Sequence, residues 1–336
     1  MDHRSVAVLL ASAPMDRRRL GGVALILLSA AGFGSGSLFA QPVYASGVDW
    51  LVLSSWRFLF GATMAWGWLL LSASRRRGLR ALPRRTLLVA LGLGVLYCGN
   101  AGTYYAALET VSPSLAGLIV FTYPALVAVA SLRVGRRLEG RRAWTALAMA
   151  LVGCALAIGG IDPNEAPPLS GLVLCVISVL IYTVWILSAA RLSGERRGTV
   201  GGESDEGAAA SAATALMMAA TATVFWSWSL VSGRPVLPGQ IPSDAWVGLV
   251  GVGVVSTFVA IQAFYGGTQR IGAAQASIIS TVEPIWTIAL AYLLFGYTLT
   301  PVQLVGGALI IGGVLVAQTG PMAGRSTVPS VRLADE

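Results

Sequence analysis

The sequence predicts an all-α integral membrane protein of ten transmembrane helices, arranged as two inverted five-helix repeats. Three observations carry that expectation. The first is composition: of 336 residues, 55% are hydrophobic and 11% charged, whereas an ordinary soluble domain carries about 25% charged residues. A soluble chain of this length would build about two cores and need a charged shell over both, so most of this surface faces lipid. The second is a set of ten apolar stretches, each close to the roughly 20 residues that cross a bilayer at 1.5 Å rise per residue. The third is a block at 104–124 that returns 160 positions later, at 264–284.

The spans follow in order. Span 1 covers 20–40; its Gly32 and Gly36 have the GxxxG spacing that lets helices approach closely, and internal packing is the expected use. Span 2 (50–73) carries Arg57. Span 3 (86–108) holds Asn100, Tyr104 and Tyr105, and span 4 (114–132) holds Tyr123 and Pro124. Span 5 (143–161) closes the first half before a Pro-rich loop at 161–170. Span 6 (171–190) carries Tyr182 and Trp185, and a polar, Gly-rich linker at 193–207 leads to span 7 (211–232). Span 8 (245–267) contains Gln262, Phe264 and Tyr265; span 9 (274–295) contains Gln275, Glu283, Pro284 and Trp286; span 10 (302–320) is Gly-rich. The chain thus divides into an N-terminal segment (1–19), a first repeat (20–161), a second repeat (171–320) and a tail (321–336).

Arginine sets the orientation. The net charge is +8, there is no lysine, and 21 of the 23 arginines fall in alternate connections when the N-terminus is placed inside. Such a bias fixes both termini in the cytoplasm, and the basic balance marks a membrane face rather than a nucleic-acid partner. The stretch SVAVLLASAP (5–14) resembles a short signal core. Its apolar run is too brief, and Met15 opens a complete first span, so a start at Met15 is the expectation.

The same scarcity excludes several kinds of chemistry. Without lysine there is no P-loop, and with His3 as the single histidine there is no histidine metal site or triad. Cys98, Cys154 and Cys175 all lie in apolar runs and read as small core hydrophobes. No cofactor and no metal are expected.

In the repeated block, YYAALETVSPSLAGLIVFTYP lies over FYGGTQRIGAAQASIISTVEP, with Tyr105/Tyr265, Ala116/Ala276, Ile119/Ile279 and Pro124/Pro284 coinciding. Each copy ends one span, turns tightly and begins the next. Just beyond, Gly135/Gly296 and Leu138/Leu299 also align. Five spans per half is an odd number, so the second half enters from the opposite side. That is the inverted arrangement in which one midplane site can open to either face.

These blocks resemble the signature of the drug/metabolite transporter superfamily, specifically its EamA-type members. The shared features are an aromatic-Ala-Leu ending, a small-residue turn, an apolar run to proline, and Leu-x-x-Gly-x-x-Leu. WRFLFGA (56–62) is similar to the family's second helix and GGALIIGGV (306–314) to its closing helix. The resemblance spans residues 20–320 and implies a ten-helix transporter, with export and gradient coupling as its expected direction and drive. This chain carries Arg136 and Tyr297 where the family has a Glu after the Leu-x-x-Gly glycine, and Gln41 where a first-helix Lys is common. No role passes over for either.

Two formal charges lie well inside spans, Arg57 and Glu283. Each costs about 2.5–3.5 kcal/mol to insert at a helix centre, so each should face a polar interior or a partner. Glu283 reads as a proton-titrating or amine-binding carboxylate, and Arg57 as its counter-charge or an anion contact. A buried Arg–Glu or Arg–carbonyl lock between helices is the alternative. Pro124 and Pro284 are repeat mates that free a carbonyl one turn earlier, either as substrate-lining helix breaks or as packing kinks. Asn100, Gln262 and Gln275 each need a partner in lipid. Tyr104, Tyr123, Tyr182, Trp185 and Tyr265 are candidates to line a large amphipathic cavity through stacking and cation–π contacts, with interfacial belt or helix packing as the alternative.

The function expected is secondary active transport of small metabolites (amino acids, amines or drug-like solutes) by alternating access across a bacterial cytoplasmic membrane. Its partners would be a small-molecule substrate, the lipid bilayer and candidate coupling protons, with the chain a monomer or homodimer and no nucleic acid involved. A non-transporting solute sensor or scaffold is the alternative. An integral-membrane enzyme is disfavoured, because one deep carboxylate without lysine or a usable histidine is a poor catalytic set.

Overall fold

The computed structural model describes residues 17–107, 110–111, 116, 119–134, 140–157, 168–192, 203–295 and 300–318. The expected start at Met15, the Pro-rich loop except its last residues, the linker up to 202, the Leu-x-x-Gly positions at 135–139 and 296–299, and the tail beyond 318 lie outside the described residues.

All regular structure among the described residues is helical. The elements are α1 (Arg17–Gly34), α2 (Gly36–Ala45), α3 (Trp50–Leu70), α4 (Ala73–Arg80), α5 (Arg84–Ala107), α6 (Tyr123–Val134) and α7 (Gly140–Ala157). Then follow α8 (Leu169–Leu192), α9 (Glu203–Val231), α10 (Ala245–Ile271), α11 (Ala273–Ser280), α12 (Glu283–Phe295) and α13 (Pro301–Gln318). Among the described residues these group into ten crossings, with α1–α2 forming one, α11–α12 another, and α4 standing outside the count as a short basic helix between crossings.

Two expectations of continuous spans need correction, those of spans 4 and 9. Span 1 is a single helical crossing, Arg18–Ala45, with a local irregularity at Ser35 between α1 and α2, where Ser35 N–H still donates to Ala31 O at 3.0 Å. Span 9 breaks at 281–282, between α11 and α12, and span 4 turns at the matching positions 121–122, before α6. Span 8 is continuous, but Val254–Val259 is π-helical. Span 7 begins at Glu203, so the last part of the expected linker is helical, because the Ala-rich run 208–213 propagates helix toward it.

The prolines fit both of these breaks. Pro124 and Pro284 are each the second residue of a helix, α6 and α12. There the absent N–H is one the helix start would leave unused anyway, and the fixed φ favours initiation. The turns before them match bond for bond: Thr122 N–H donates to Ile119 O and Leu126 N–H to Thr122 O, while Val282 N–H donates to Ile279 O and Trp286 N–H to Val282 O. Offsets of 160 throughout make these the same turn in each half.

Without a hydrophobic drive between helices in lipid, small residues must allow close contact. At the α7–α13 seam, Ala146, Ala150, Gly153 and Ala157 form a buried stripe. A Cβ on Gly306 would lie 2.5 Å from Ala157 N and 2.7 Å from Gly153 O. The last helices of the two halves therefore touch backbone to backbone. Gly32 packs on Val255 and Ala260, and Gly36 on Ser256, so the GxxxG pair of the first crossing serves contact with α10.

A second pair of contacts relates the halves less simply. A side chain at Gly94 of α5 would strike the Met217 carbonyl of α9, and one at Gly253 of α10 would lie 3.2 Å from the Arg57 carbonyl of α3. Positions 57 and 217 are 160 apart, whereas 94 and 253 are 159 apart. The π-helical segment begins immediately after Gly253, and the 160-residue offset holds again beyond it.

The arginine-poor end is pinned by side chains. Asp49 caps α3, its Oδ1 accepting from the N–H groups of Leu51 and Val52 at 2.9 Å each, while its Oδ2 pairs with Arg234 Nη1 at 3.2 Å. Nearby, Trp56 Nε1 donates to Val236 O at 3.1 Å and Trp226 Nε1 to Ser55 O at 3.0 Å.

Candidate functional site

The interior between the halves is a chain of aromatic rings with a charge at either end. Tyr123 of α6 meets Tyr182 of α8 at 5.0 Å between centroids, edge to face, and Tyr182 stacks on Trp185 at 5.9 Å. Trp185 continues to Tyr97 at 4.9 Å, to Tyr265 at 6.0 Å and to Phe264 at 6.5 Å. Tyr97 packs on Phe58 at 5.6 Å, and the Arg57 guanidinium carbon lies 5.2 Å from the Phe58 ring centre. Both geometries are favoured by the ring quadrupole.

Glu283 stands at the other end. As the first residue of α12 it sits at the break in the ninth crossing rather than within a continuous helix, and it is half-buried. Its carboxylate is within electrostatic reach of the Tyr123 and Tyr182 hydroxyls, the Cys154 thiol and the Arg57 guanidinium. The first crossing presses on this point. Thr287 Oγ1 donates to Gly34 O at 3.0 Å, and a Cβ at Gly34 would lie 2.9 Å from Glu283 O, so only glycine admits α1 here.

Arg57 is held away from Glu283 by α10. Its Nε donates to Thr257 Oγ1 at 2.8 Å, and its Nη2 approaches Ser256 O at 3.5 Å. Thr257 Oγ1 in turn donates to Val252 O at 3.0 Å, five residues back, which is the register of a π turn. The hydroxyl thus donates to its own helix and accepts from the guanidinium. A Cβ at Gly61 would lie 2.7 Å from Thr257 Cγ2, so Gly61 is what lets the widened turn sit on α3. Arg57 and Glu283 form no ion pair; the described residues hold one salt bridge, Arg234–Asp49.

The remaining candidates divide. Tyr265 is fully buried, and its hydroxyl donates to Met217 Sδ at 3.0 Å. Trp185 Nε1 and Gln262 Nε2 are buried without a hydrogen-bond partner, as is Ser256 Oγ. Each such donor costs about 1–3 kcal/mol in a dry interior. Asn100 instead locks two helices, its Nδ2 donating to Ser178 O at 3.0 Å and Ser178 Oγ at 2.9 Å. Gln275 Nε2 donates to Ala317 O at 3.3 Å near the end of α13. Tyr104 packs with Ala107, Val111, Ala116 and Cys175, apart from the ring chain. The structure therefore brings together Arg57, Tyr123, Tyr182, Trp185, Tyr265 and Glu283, and leaves Asn100, Tyr104 and Gln275 at helix contacts.

Sequence reasoning missed Thr257 and Tyr97. Neither carries a charge or belongs to the repeated block, and a threonine in an apolar helix gives no sign that its hydroxyl bridges to another crossing. The one available signal was the Gly94/Gly253 offset of 159.

Comparison with known proteins follows from this geometry. The family model described as "EamA-like transporter family" matches residues 20–159 and 169–319. An "Uncharacterized transporter" of Archaeoglobus fulgidus is 29% identical over 301 residues, covering 88% of this chain and 96% of that protein. The "Uncharacterized transporter YcbK" of Bacillus subtilis is 24% identical over 307 residues, covering 90% and 93%. A solved structure titled "Crystal structure of protein" superposes with a TM-score of 0.69 at 18% identity, covering 90% of this chain and 97% of that one, which speaks to fold alone.

Proposed function

The chain belongs to the EamA-like transporter family, and from that premise we propose that it is a secondary active transporter. In this reading it moves small metabolites (amino acids, amines or drug-like solutes) out of the cytoplasm by alternating access, driven by a proton or solute gradient. The observation that carries the reading is the ring chain from Arg57 to Glu283, which runs between the two halves and ends at a helix break. Broken helices at the meeting of inverted repeats are where transporters bind their solutes.

The chemistry divides along the chain. Glu283 is the group that takes up a proton or holds a cationic amine. The rings of Tyr123, Tyr182, Trp185 and Tyr97 offer stacking and cation–π surface to a planar or positively charged body. Trp185 Nε1 and Gln262 Nε2 offer donors to a solute oxygen, and Arg57 supplies the counter-charge.

Comparing metabolites released and retained by cells lacking or overproducing the protein identifies the solute and its direction. With that solute in proteoliposomes, Glu283→Gln is expected to leave folding and binding largely intact and to abolish transport driven by a pH gradient. Unchanged coupling in the variant refutes the role given to Glu283.

A further inference from the structure

Outside the ring chain, the most concentrated charge on the molecule lies on α4 and the start of α5. Arg75, Arg76, Arg77, Arg80, Arg84 and Arg85 fall within eleven positions, with no acidic residue among them. Leu79 and Leu82 pack into the central core, which fixes the helix against the bundle and leaves Arg76, Arg77, Arg80, Arg84 and Arg85 exposed. None of the six is in an ion pair among the described residues. Arg75 is half-buried, its guanidinium carbon 3.9 Å from the centre of the Trp68 ring and its Nε buried without a hydrogen-bond partner.

The apolar surroundings narrow the choice of partner. Leu70, Leu71 and Leu88, which flank the arginines in the chain, are 51%, 83% and 66% exposed, and Trp68 is 47% exposed. A free phosphate or an acidic peptide matches the arginines and leaves the leucines unused. A molecule with an anionic head and two hydrocarbon tails matches both. Juxtamembrane clusters of four to eight arginines favour anionic lipid in just this way, and an aromatic ring at that depth is an interfacial anchor.

We propose that the Arg75–Arg85 segment, with Trp68 and the flanking leucines, is a binding site for an anionic glycerophospholipid of the bilayer. The headgroup phosphates sit among Arg76, Arg77 and Arg80, and the acyl chains lie along Leu70, Leu71 and Leu88. Arg75, parked on Trp68, ties the headgroup site to the end of α3. The site is separate from the ring chain, so it stands whether or not Glu283 couples transport.

Trp68 is a built-in reporter. The full-length protein is reconstituted in vesicles of phosphatidylcholine containing a minor fraction of either brominated phosphatidylglycerol or brominated phosphatidylcholine, and the Trp68 signal is isolated by subtracting a Trp68→Phe variant. Each arginine near an anionic surface favours the charged lipid by about five-fold, so Trp68 is expected to be quenched at least about five-fold more effectively by the glycerol lipid. The triple variant Arg76→Gln, Arg77→Gln, Arg80→Gln should lose that preference while its folded fraction is unchanged. Millimolar glycerol 3-phosphate in solution should fail to displace the lipid; displacement would mean that the site reads a free phosphate and would overturn the assignment. Equal quenching by the two lipids would overturn it too.

Discussion

Replacing Thr257 with valine removes one hydroxyl and almost no volume, so its effect is confined to the two hydrogen bonds of that hydroxyl, one accepted from Arg57 and one donated to Val252 O. In the native protein that hydroxyl accepts from Arg57 Nε at 2.8 Å. What remains to the guanidinium afterwards is the approach to Ser256 O at 3.5 Å, at the outer limit of a hydrogen bond. A hydrogen bond to a charged group is worth about 1.5–3 kcal/mol, and no cavity is created to add to it. At about 2.1 cal/mol/K of unfolding entropy per residue, a chain of 336 residues moves its midpoint by about 1.4 °C per kcal/mol, so a drop of about 2–4 °C is expected. Cys98, Cys154 and Cys175 are free and buried, so a thiol-reactive fluorophore reports their exposure on heating without any introduced cysteine. Thr257→Ser keeps the hydroxyl and should retain most of the midpoint. The decisive measurement is a double-mutant cycle with Arg57→Met, in which Thr257→Val should cost little once the guanidinium is gone. Additivity of the two changes to within about 0.3–0.5 kcal/mol would refute the idea that the π turn and Arg57 act as one unit.

At the α7–α13 seam, Gly306→Val would drive a branched side chain into the backbone of Ala157 and Gly153 and should abolish monodisperse protein in size-exclusion chromatography, whereas Gly67→Ala, with nothing within 4 Å of the new carbon, should elute as the parent does. At the arginine-poor end, Asp49→Ala should cost about 1 kcal/mol through the lost cap of α3, while Arg234→Ala, which removes only the half-exposed ion pair, should cost under about 1 kcal/mol; thermal midpoints that rank the other way would show that the pair, not the cap, holds this end.

Much of the fold was legible because the bilayer leaves few choices. Span lengths, the arginine bias and the 160-residue repeat each reflect a constraint that lipid enforces on sequence. The interruptions were less legible. Pro284 suggested a weak point in the ninth crossing, but the close approach of Gly34 on α1 to the Glu283 carbonyl at that point is announced by no single segment. Within the candidate site, Arg57 and Glu283 stood out because charge is costly in a span. The aromatic residues did not sort themselves: Tyr104 and Tyr182 look alike in sequence, yet one packs beside Cys175 and the other stacks on Trp185. Asn100 and Gln275 carried the same polar signal as Gln262 and found partners in neighbouring helices instead.

The mismatch of 159 against 160 between Gly94/Gly253 and the rest of the repeat gives the π turn a history as well as a geometry. Between Gly94/Gly253 and the repeated block the second half carries one residue more than the first, and the surplus is stored in Val254–Val259 instead of being passed down the helix. Had the helix stayed regular, the extra residue would have rotated everything after it by about 100°, turning Tyr265 out of phase with the Trp185 ring it now meets. A widened turn confines the insertion and preserves the downstream phase. It also places a threonine hydroxyl where an arginine from the opposite crossing can reach it, so the two halves of a once-equal pair differ in charge at the point where they differ in length.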